Sequence, residues 1–156
     1  MTSNLSRFNN QIDALINSLL SIDKIKDDKK IHLFQLKYQG IKTLDSKKPL
    51  ECFLKYVYPY KEKIMAKDED FFLGNKIEER VSEMCQNLKE ETDESIKDDS
   101  KDNEFVLHQA LHIKNHWNHN LNENQKNTLW TYFQVLIKLS ERYVVEKVDV
   151  SKINTN

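Results

Sequence analysis

Glycine and proline are almost absent from this sequence, and their scarcity limits the folds open to the chain more than any other feature. Among 156 residues there are two glycines and two prolines. Sandwiches and barrels need many tight turns, and those turns depend on Gly, Pro, Asn or Asp. Asparagine is available for some turns, but the apolar residues recur at helical rather than alternating intervals. The sequence therefore predicts an all-α fold.

The strongest helical patterns lie near the two ends of the chain. The first covers residues 4–22, where apolar side chains recur every three or four positions. The last begins at Asn122 and Gln125, which have the spacing of a capping box, and its apolar residues cover about half of the helical circumference. We expect these two helices to supply most of the core.

Shorter helices are expected between these two. A helix should start near Asp28, Pro49 is suited to the first turn of the next one, and Pro59 ends it. The predicted segments are residues 28–44, 50–57, a single turn ending at Gly74, 76–88 and 104–118. Together with the two end helices they predict a compact bundle of five to seven helices.

A strongly acidic stretch lies ahead of the last two predicted helices. Residues 89–104 hold eight acidic side chains and a single apolar one, Ile96, which is typical of a mobile acidic loop rather than of core. A chain of this length is expected to form one domain. We predict a single helical domain over residues 1–147, followed by a flexible tail at 148–156.

Positive charge is concentrated in the first part of the chain. The whole sequence has a net charge of -1, whereas residues 1–65 hold 12 basic and 7 acidic side chains. The segment "KYVYPYKEK", residues 55–63, places tyrosines beside lysines, as proteins that stack on bases do. Pro59 instead favours a corner between helices, where tyrosines pack and keep only the hydroxyl in water. Nucleic-acid binding by the basic region 24–63 stays open as an alternative.

Four of the five histidines lie in the short segment "HQALHIKNHWNH", residues 108–119. On a helix that turns about 100° per residue, Ala110, Ile113 and Trp117 share one apolar face. The histidines fall roughly on the other side, which predicts a solvent-exposed stripe that binds no metal. The four are His108, His112, His116 and His119.

These histidines are nevertheless the weak metal candidates of the chain. His108 and His116 are about 12 Å apart along the helix axis, too far to share one ion. One ion could take His108 with His112, or His112 with His116, and would then need ligands from elsewhere in the fold. The sequence has no HExxH motif. An acidic residue facing His112 would favour the remaining alternative, a metal-dependent enzyme built on this helix.

Catalytic signatures are missing from the sequence. It has no glycine-rich phosphate loop, no GxSxG motif and no paired-cysteine metal site. Cys52 and Cys85 fall on apolar helix faces and are predicted to be buried thiols. We therefore predict no catalytic residues, no cofactor-binding residues and no cofactor, and we do not expect an enzyme.

Neither a membrane span nor an export signal is visible. No apolar run approaches the roughly 18–20 residues that a membrane helix needs. The N-terminal segment "MTSNLSRFNN" has neither a basic region nor an apolar core. These features predict an intracellular protein without a membrane partner.

Two segments carry a resemblance to known proteins. They are "FLKYVYPYKEKIMAKDEDFFLGN" and "NENQKNTLWTYFQVLIKLSERY", with a shared pattern of Phe53, Pro59, Lys67-Asp68-Glu69, Phe71-Phe72, Leu129-Trp130 and Tyr132. This pattern resembles small, uncharacterised helical proteins of large nucleocytoplasmic DNA viruses of the mimivirus and phycodnavirus type. The resemblance implies a viral source, and with it the cytoplasm of a host cell or the virion. It transfers no catalytic or binding residues.

A well-patterned helical scaffold without catalytic motifs favours one function class. We expect a non-enzymatic helical interaction or structural protein with a protein partner, such as a virion component or a host-directed factor. The alternatives are the nucleic-acid-associated protein and the metal-dependent enzyme described above.

Overall fold

The computed structural model of the chain describes residues 3–73, 79, 83 and 112–154, with side chains described as far as Val148. Helices make up this part of the chain, joined by turns, and it contains no strand. The predicted compact all-α fold is confirmed. The helices are α1 (Asn4–Leu20), α2 (Lys29–Leu44), α3 (Lys48–Tyr56), α4 (Lys61–Met65), α5 (Glu69–Leu73), α6 (described over 112–120) and α7 (Glu123–Asn154).

Side-chain caps fix where α1, α2 and α7 start. The side chain of Ser3 accepts a hydrogen bond from the Ser6 backbone N–H at the start of α1. At α7 the predicted capping box is confirmed, since Asn122 Oδ1 accepts from the Gln125 N–H at 2.8 Å and Gln125 Oε1 accepts from the Asn122 N–H at 2.9 Å. At α2 the Asp28 side chain is the cap, and it accepts the backbone N–H groups of Lys30 and Ile31. Each cap satisfies backbone donors that a helix leaves unpaired at its first turn.

The first and last helices pack together in opposite directions. Asn4, at the start of α1, donates a hydrogen bond to Glu146 near the far end of α7. Leu19, at the other end of α1, lies in one apolar cluster with Leu129 and Trp130. These two helices supply eight of the sixteen buried apolar residues in the described part of the chain, which is half rather than most of its core. The shorter helices provide seven of the others, and the eighth, Ile25, lies in the turn between α1 and α2.

Two apolar clusters hold the bundle together. One contains Phe8, Leu50, Phe53, Ile64, Leu136, Ile137 and Leu139, and the other contains Leu19, Ile25, Ile31, Trp117, Leu129 and Trp130. In the first, the rings of Phe8 and Phe53 meet edge to face with centroids 5.3 Å apart. The second cluster attaches α6 to α1 and α7, and it therefore positions the histidine helix.

The tyrosines around Pro59 serve packing, as the corner interpretation predicts. Residues Tyr58–Tyr60 form a single turn of 3-10 helix between α3 and α4. The Tyr58 hydroxyl donates to Glu141 at 2.9 Å, and the same carboxylate oxygen receives Lys61 Nζ at 2.6 Å. Tyr60 packs against Phe71 and Phe72.

Several expectations fall on residues that lie outside the described part of the chain. They concern the acidic loop at 89–104, most of helix 76–88, the start of helix 104–118, Cys85 and His108. Cys52 is described, and it is half-buried rather than fully buried as predicted. At the C-terminus the helical backbone continues to Asn154. The domain limits at 1–147 and the flexibility of 148–156 stay predictions.

Candidate functional site

Helix α6 is attached to the core by the face that the sequence predicts. Trp117 is buried, and its ring packs edge to face on Trp130 with centroids 5.2 Å apart. Its indole N–H donates to Glu69 Oε1 at 2.7 Å, which joins α6 to α5. Ile113 packs against the same cluster. The apolar side of the predicted helix is therefore confirmed at Ile113 and Trp117.

The prediction of a fully exposed histidine stripe is wrong. His116 is buried, with 8% of its surface exposed, and His112 is half-buried. His119 is exposed, as expected. At about 100° per residue, His116 lies only about 60° from Ile113, on the flank of the helix rather than opposite its core face. Another helix covers that flank, and a helical wheel contains no information about such a neighbour.

The neighbour is the N-terminus of α2, and it brings Asp28 onto both histidines. Asp28 Oδ2 lies 2.8 Å from His112 Nε2 and 2.5 Å from His116 Nε2. The two imidazole rings meet edge to face, with centroids 5.1 Å apart. We call Asp28, His112 and His116 the Asp-His-His cluster.

The Asp28 carboxylate is held in place by the helix that it caps. Its Oδ1 accepts the backbone N–H groups of Lys30 at 2.8 Å and of Ile31 at 3.3 Å, which leaves Oδ2 for the imidazoles. Burial alone would raise the pKa of the Asp28 carboxyl. The hydrogen bonds from His116, His112 and the two backbone groups outweigh it and hold that pKa well below its usual range. The group is therefore a carboxylate at neutral pH.

His116 also has a partner on its second ring nitrogen. Asn120 Nδ2 lies 2.8 Å from His116 Nδ1, one helical turn further along α6. An amide side chain offers a donor on one side and an acceptor on the other, so it can serve either tautomer of the ring. With Nε2 donating to the Asp28 carboxylate, Nδ1 accepts from the Asn120 amide, which helps to hold the imidazole in this orientation.

In chemical terms the cluster is a set of metal donors. One ligand atom from each of the three residues lies within 4.8 Å of the others. Asp28 is an acidic residue that faces His112, and such a residue is the feature that would favour a metal-dependent function for this helix. Sequence reasoning placed Asp28 at the start of a helix but missed this contact, since 84 residues separate it from His112. No local pattern carries a signal for a pairing at that distance.

A second feature is the outer side of α2. Leu33, Leu36 and Leu44 are 52%, 71% and 91% exposed. Gly40, between them on the same side, has no atom within 4 Å of the position that a Cβ would occupy. We call Leu33, Leu36, Gly40 and Leu44 the leucine face.

Comparison with protein-family models, with curated proteins and with solved structures finds no match. The Asp-His-His cluster and the leucine face therefore have to be interpreted from their own chemistry. A further finding concerns membranes. Within the described ranges, every helix is too short or too polar to cross a bilayer.

Acid is expected to weaken the attachment of α6 through Glu69. The hydrogen bond from Trp117, helped by Lys126, holds the pKa of the Glu69 carboxyl below its usual value although desolvation raises it. A carboxyl whose pKa is lowered by folding stabilises the protein above its unfolded pKa of about 4.3, and this contribution is lost as the pH falls through the folded value. Because 39% of the side chain is exposed, the effect should be well under ~1 kcal/mol.

Urea unfolding at neutral and at acid pH measures this contribution. Between the two conditions Glu69→Gln should lose less stability than the wild type, because glutamine cannot be protonated in this range. Glu62→Gln is the matched control, since that side chain is exposed and lies on another helix. An equal loss in the wild type and in Glu69→Gln would contradict the prediction.

Proposed function

We propose that this chain is a non-enzymatic interaction protein that binds an acidic amphipathic helix of a partner on the leucine face of α2. The observation that carries the proposal is the exposure of three leucines on one side of a single helix. Soluble monomers show scattered apolar side chains, whereas aligned ones mark a contact surface. The viral setting implied by the resemblance belongs to the same proposal.

The spacing of the leucine face suits a helical partner. At about 100° per residue its four positions fall within about 80° of one another, opposite the buried residues Ile31 and Tyr38. From Leu33 to Leu44 the face is roughly 16 Å long, which is three turns of helix. A helix in a groove is recognised through anchors at such intervals. The open space at Gly40 would let the two backbones approach closely.

The charge of α2 indicates the chemistry of the partner. The helix contains Lys29, Lys30, Lys37 and Lys42 and has no acidic residue. Lys42 lies on the opposite side and forms an ion pair with Asp13 of α1. By their positions on the helical wheel, Lys29, Lys30 and Lys37 lie on the side of the leucine face or beside it. A partner with glutamate or aspartate beside its apolar residues would complement them. A second copy of α2 would bring lysine against lysine.

The nucleic-acid alternative uses the same basic region, residues 24–63. It needs aromatic rings that are available for stacking. Tyr56 is buried, Tyr58 bonds Glu141, and Tyr60 packs on phenylalanines. Exposed leucines also add nothing to phosphate binding. These contacts favour a protein partner over a nucleic acid.

The test uses the full chain and a synthetic amphipathic helical peptide of about 20 residues, with leucine on one face and glutamate on both flanks. We expect binding in the micromolar range, measured by fluorescence anisotropy, and a loss of about tenfold or more in Leu36→Glu and in Leu44→Glu. Val145→Glu, at a 59% exposed position of α7, is the matched control and should bind normally. Circular dichroism would verify that each variant is folded.

Other outcomes would reject this function. The proposal is wrong if the peptide fails to bind. It is also wrong if a peptide with lysine in place of glutamate binds equally well. Binding only to anionic vesicles or to duplex DNA would replace the protein partner by a lipid or nucleic-acid surface. Self-association of the wild type that Leu36→Glu abolishes would show that a second copy covers the face.

A further inference from the structure

We propose that Asp28, His112 and His116 form a binding site for a divalent transition-metal ion of the zinc type. The site is distinct from the leucine face, so either proposal can fail without the other. Its residues come from two helices that are far apart in the sequence, since 84 and 88 residues separate Asp28 from the two histidines.

The donor set selects the class of ion. Two imidazole nitrogens and one carboxylate oxygen are ligands that zinc and its first-row neighbours accept. Calcium and magnesium prefer a shell of oxygens, and copper(I) prefers sulfur. His112 and His116 are four residues apart on a helix, so they project from successive turns of the same side. This is the spacing by which one helix offers two nitrogens to one ion.

The distances are close to those that a bound ion needs. Ligands of a tetrahedral zinc ion at bond lengths of about 2.0–2.1 Å lie about 3.3 Å from one another. Asp28 Oδ2 is 2.8 Å and 2.5 Å from the two Nε2 atoms. Relative to Asp28 Oδ2, each imidazole nitrogen therefore has to move outward by less than about 1 Å, within the reach of small side-chain rotations. The ion would replace the protons that these atoms now share.

The residues around the ligands are suited to hold them. A histidine that binds metal through Nε2 carries its proton on Nδ1 and donates it to a neighbouring acceptor. Rotating the amide of Asn120 by half a turn presents its oxygen to His116 Nδ1 at the position where the nitrogen now lies. Asp28 is fixed by Lys30 and Ile31 through its other oxygen. Two of the three ligands thus have their orientation set before any ion arrives.

The site is shielded but not closed. The side chains of His112, His116 and Asp28 are 20%, 10% and 15% exposed. Three protein ligands leave at least one coordination position to water or to an external ligand. A bound ion would tie the N-terminus of α2 to α6 and close a long loop of chain, so it should stabilise the folded state.

Zinc binding by untagged full-length protein, stripped of metal with a chelator, tests the site. Isothermal titration is expected to give one zinc ion per chain with a micromolar or tighter dissociation constant, and zinc should raise the melting temperature. Cobalt(II) should give the visible absorption band of a low-coordinate complex. Both Asp28→Asn and His112→Ala should weaken zinc binding at least tenfold, and the second tests a half-buried position if His116→Ala fails to fold.

His119→Ala is the matched control, because His119 lies on the same helix and is exposed. It should leave zinc binding unchanged. The site is rejected if the stripped protein takes up far less than one equivalent of zinc. It is also rejected if binding survives in Asp28→Asn and disappears in His108→Ala or in His119→Ala, which would identify adventitious capture by surface histidines.

Discussion

Replacing Leu136 with alanine is expected to lower the free energy of unfolding by about 2–5 kcal/mol. Leu136 is 1% exposed and lies in the apolar cluster that joins α7 to α1 and α3. Truncation removes buried methyl groups from contact and leaves a cavity, which neighbouring side chains fill only in part. For a chain of this size such a loss would be a large fraction of the total stability.

The same substitution at Leu44 provides an internal control. Leu44 also lies in a helix, but 91% of its surface is exposed. Leu44→Ala should therefore change the unfolding free energy by less than about 0.5 kcal/mol. Urea denaturation followed by circular dichroism measures both variants. Similar losses at the two positions would mean that α2 packs its outer side or that α7 is not in the core.

The features of the fold that could be predicted are those that depend on residues close to one another in the sequence. The capping box of Asn122 and Gln125 needs only a three-residue spacing, and it is present at the start of α7. Helix α2 covers Lys29–Leu44, within one residue of the predicted segment 28–44. Helical periodicity is a local property, so a local pattern is sufficient to find it.

Contacts between distant segments could not be predicted in this way. His116 is buried because the N-terminus of α2 covers the flank of α6, and the sequence of α6 does not specify that neighbour. The leucine face was missed for a related reason. Leu33 and Leu36 are as apolar as the residues that pack inward, and only the structure shows that no other described helix covers them. Both candidate sites therefore depend on tertiary arrangement rather than on motifs.

Asp28 provides the second large effect, because one side chain has two separate roles. Through Oδ1 it caps α2, a contribution of about 1 kcal/mol when such a residue is replaced by alanine. Through Oδ2 it accepts hydrogen bonds from both imidazoles. A hydrogen bond to a charged group contributes about 1.5–3 kcal/mol to the stability of a folded protein. In the presence of a chelator, which excludes any contribution from metal, Asp28→Ala should lower the unfolding free energy by about 2–4 kcal/mol.

Asparagine at position 28 separates the two roles. It is as good a helix cap as aspartate, but it lacks the negative charge that the imidazoles contact. Asp28→Asn should therefore lose about 1 kcal/mol less than Asp28→Ala, and Asp23→Ala, at a side chain that is 95% exposed, should be nearly neutral. A double-mutant cycle of Asp28→Asn with His116→Ala should show a coupling of at least about 0.5 kcal/mol. If the two substitutions are additive, Asp28 acts only as a cap, and the contact between α2 and α6 does not contribute to stability.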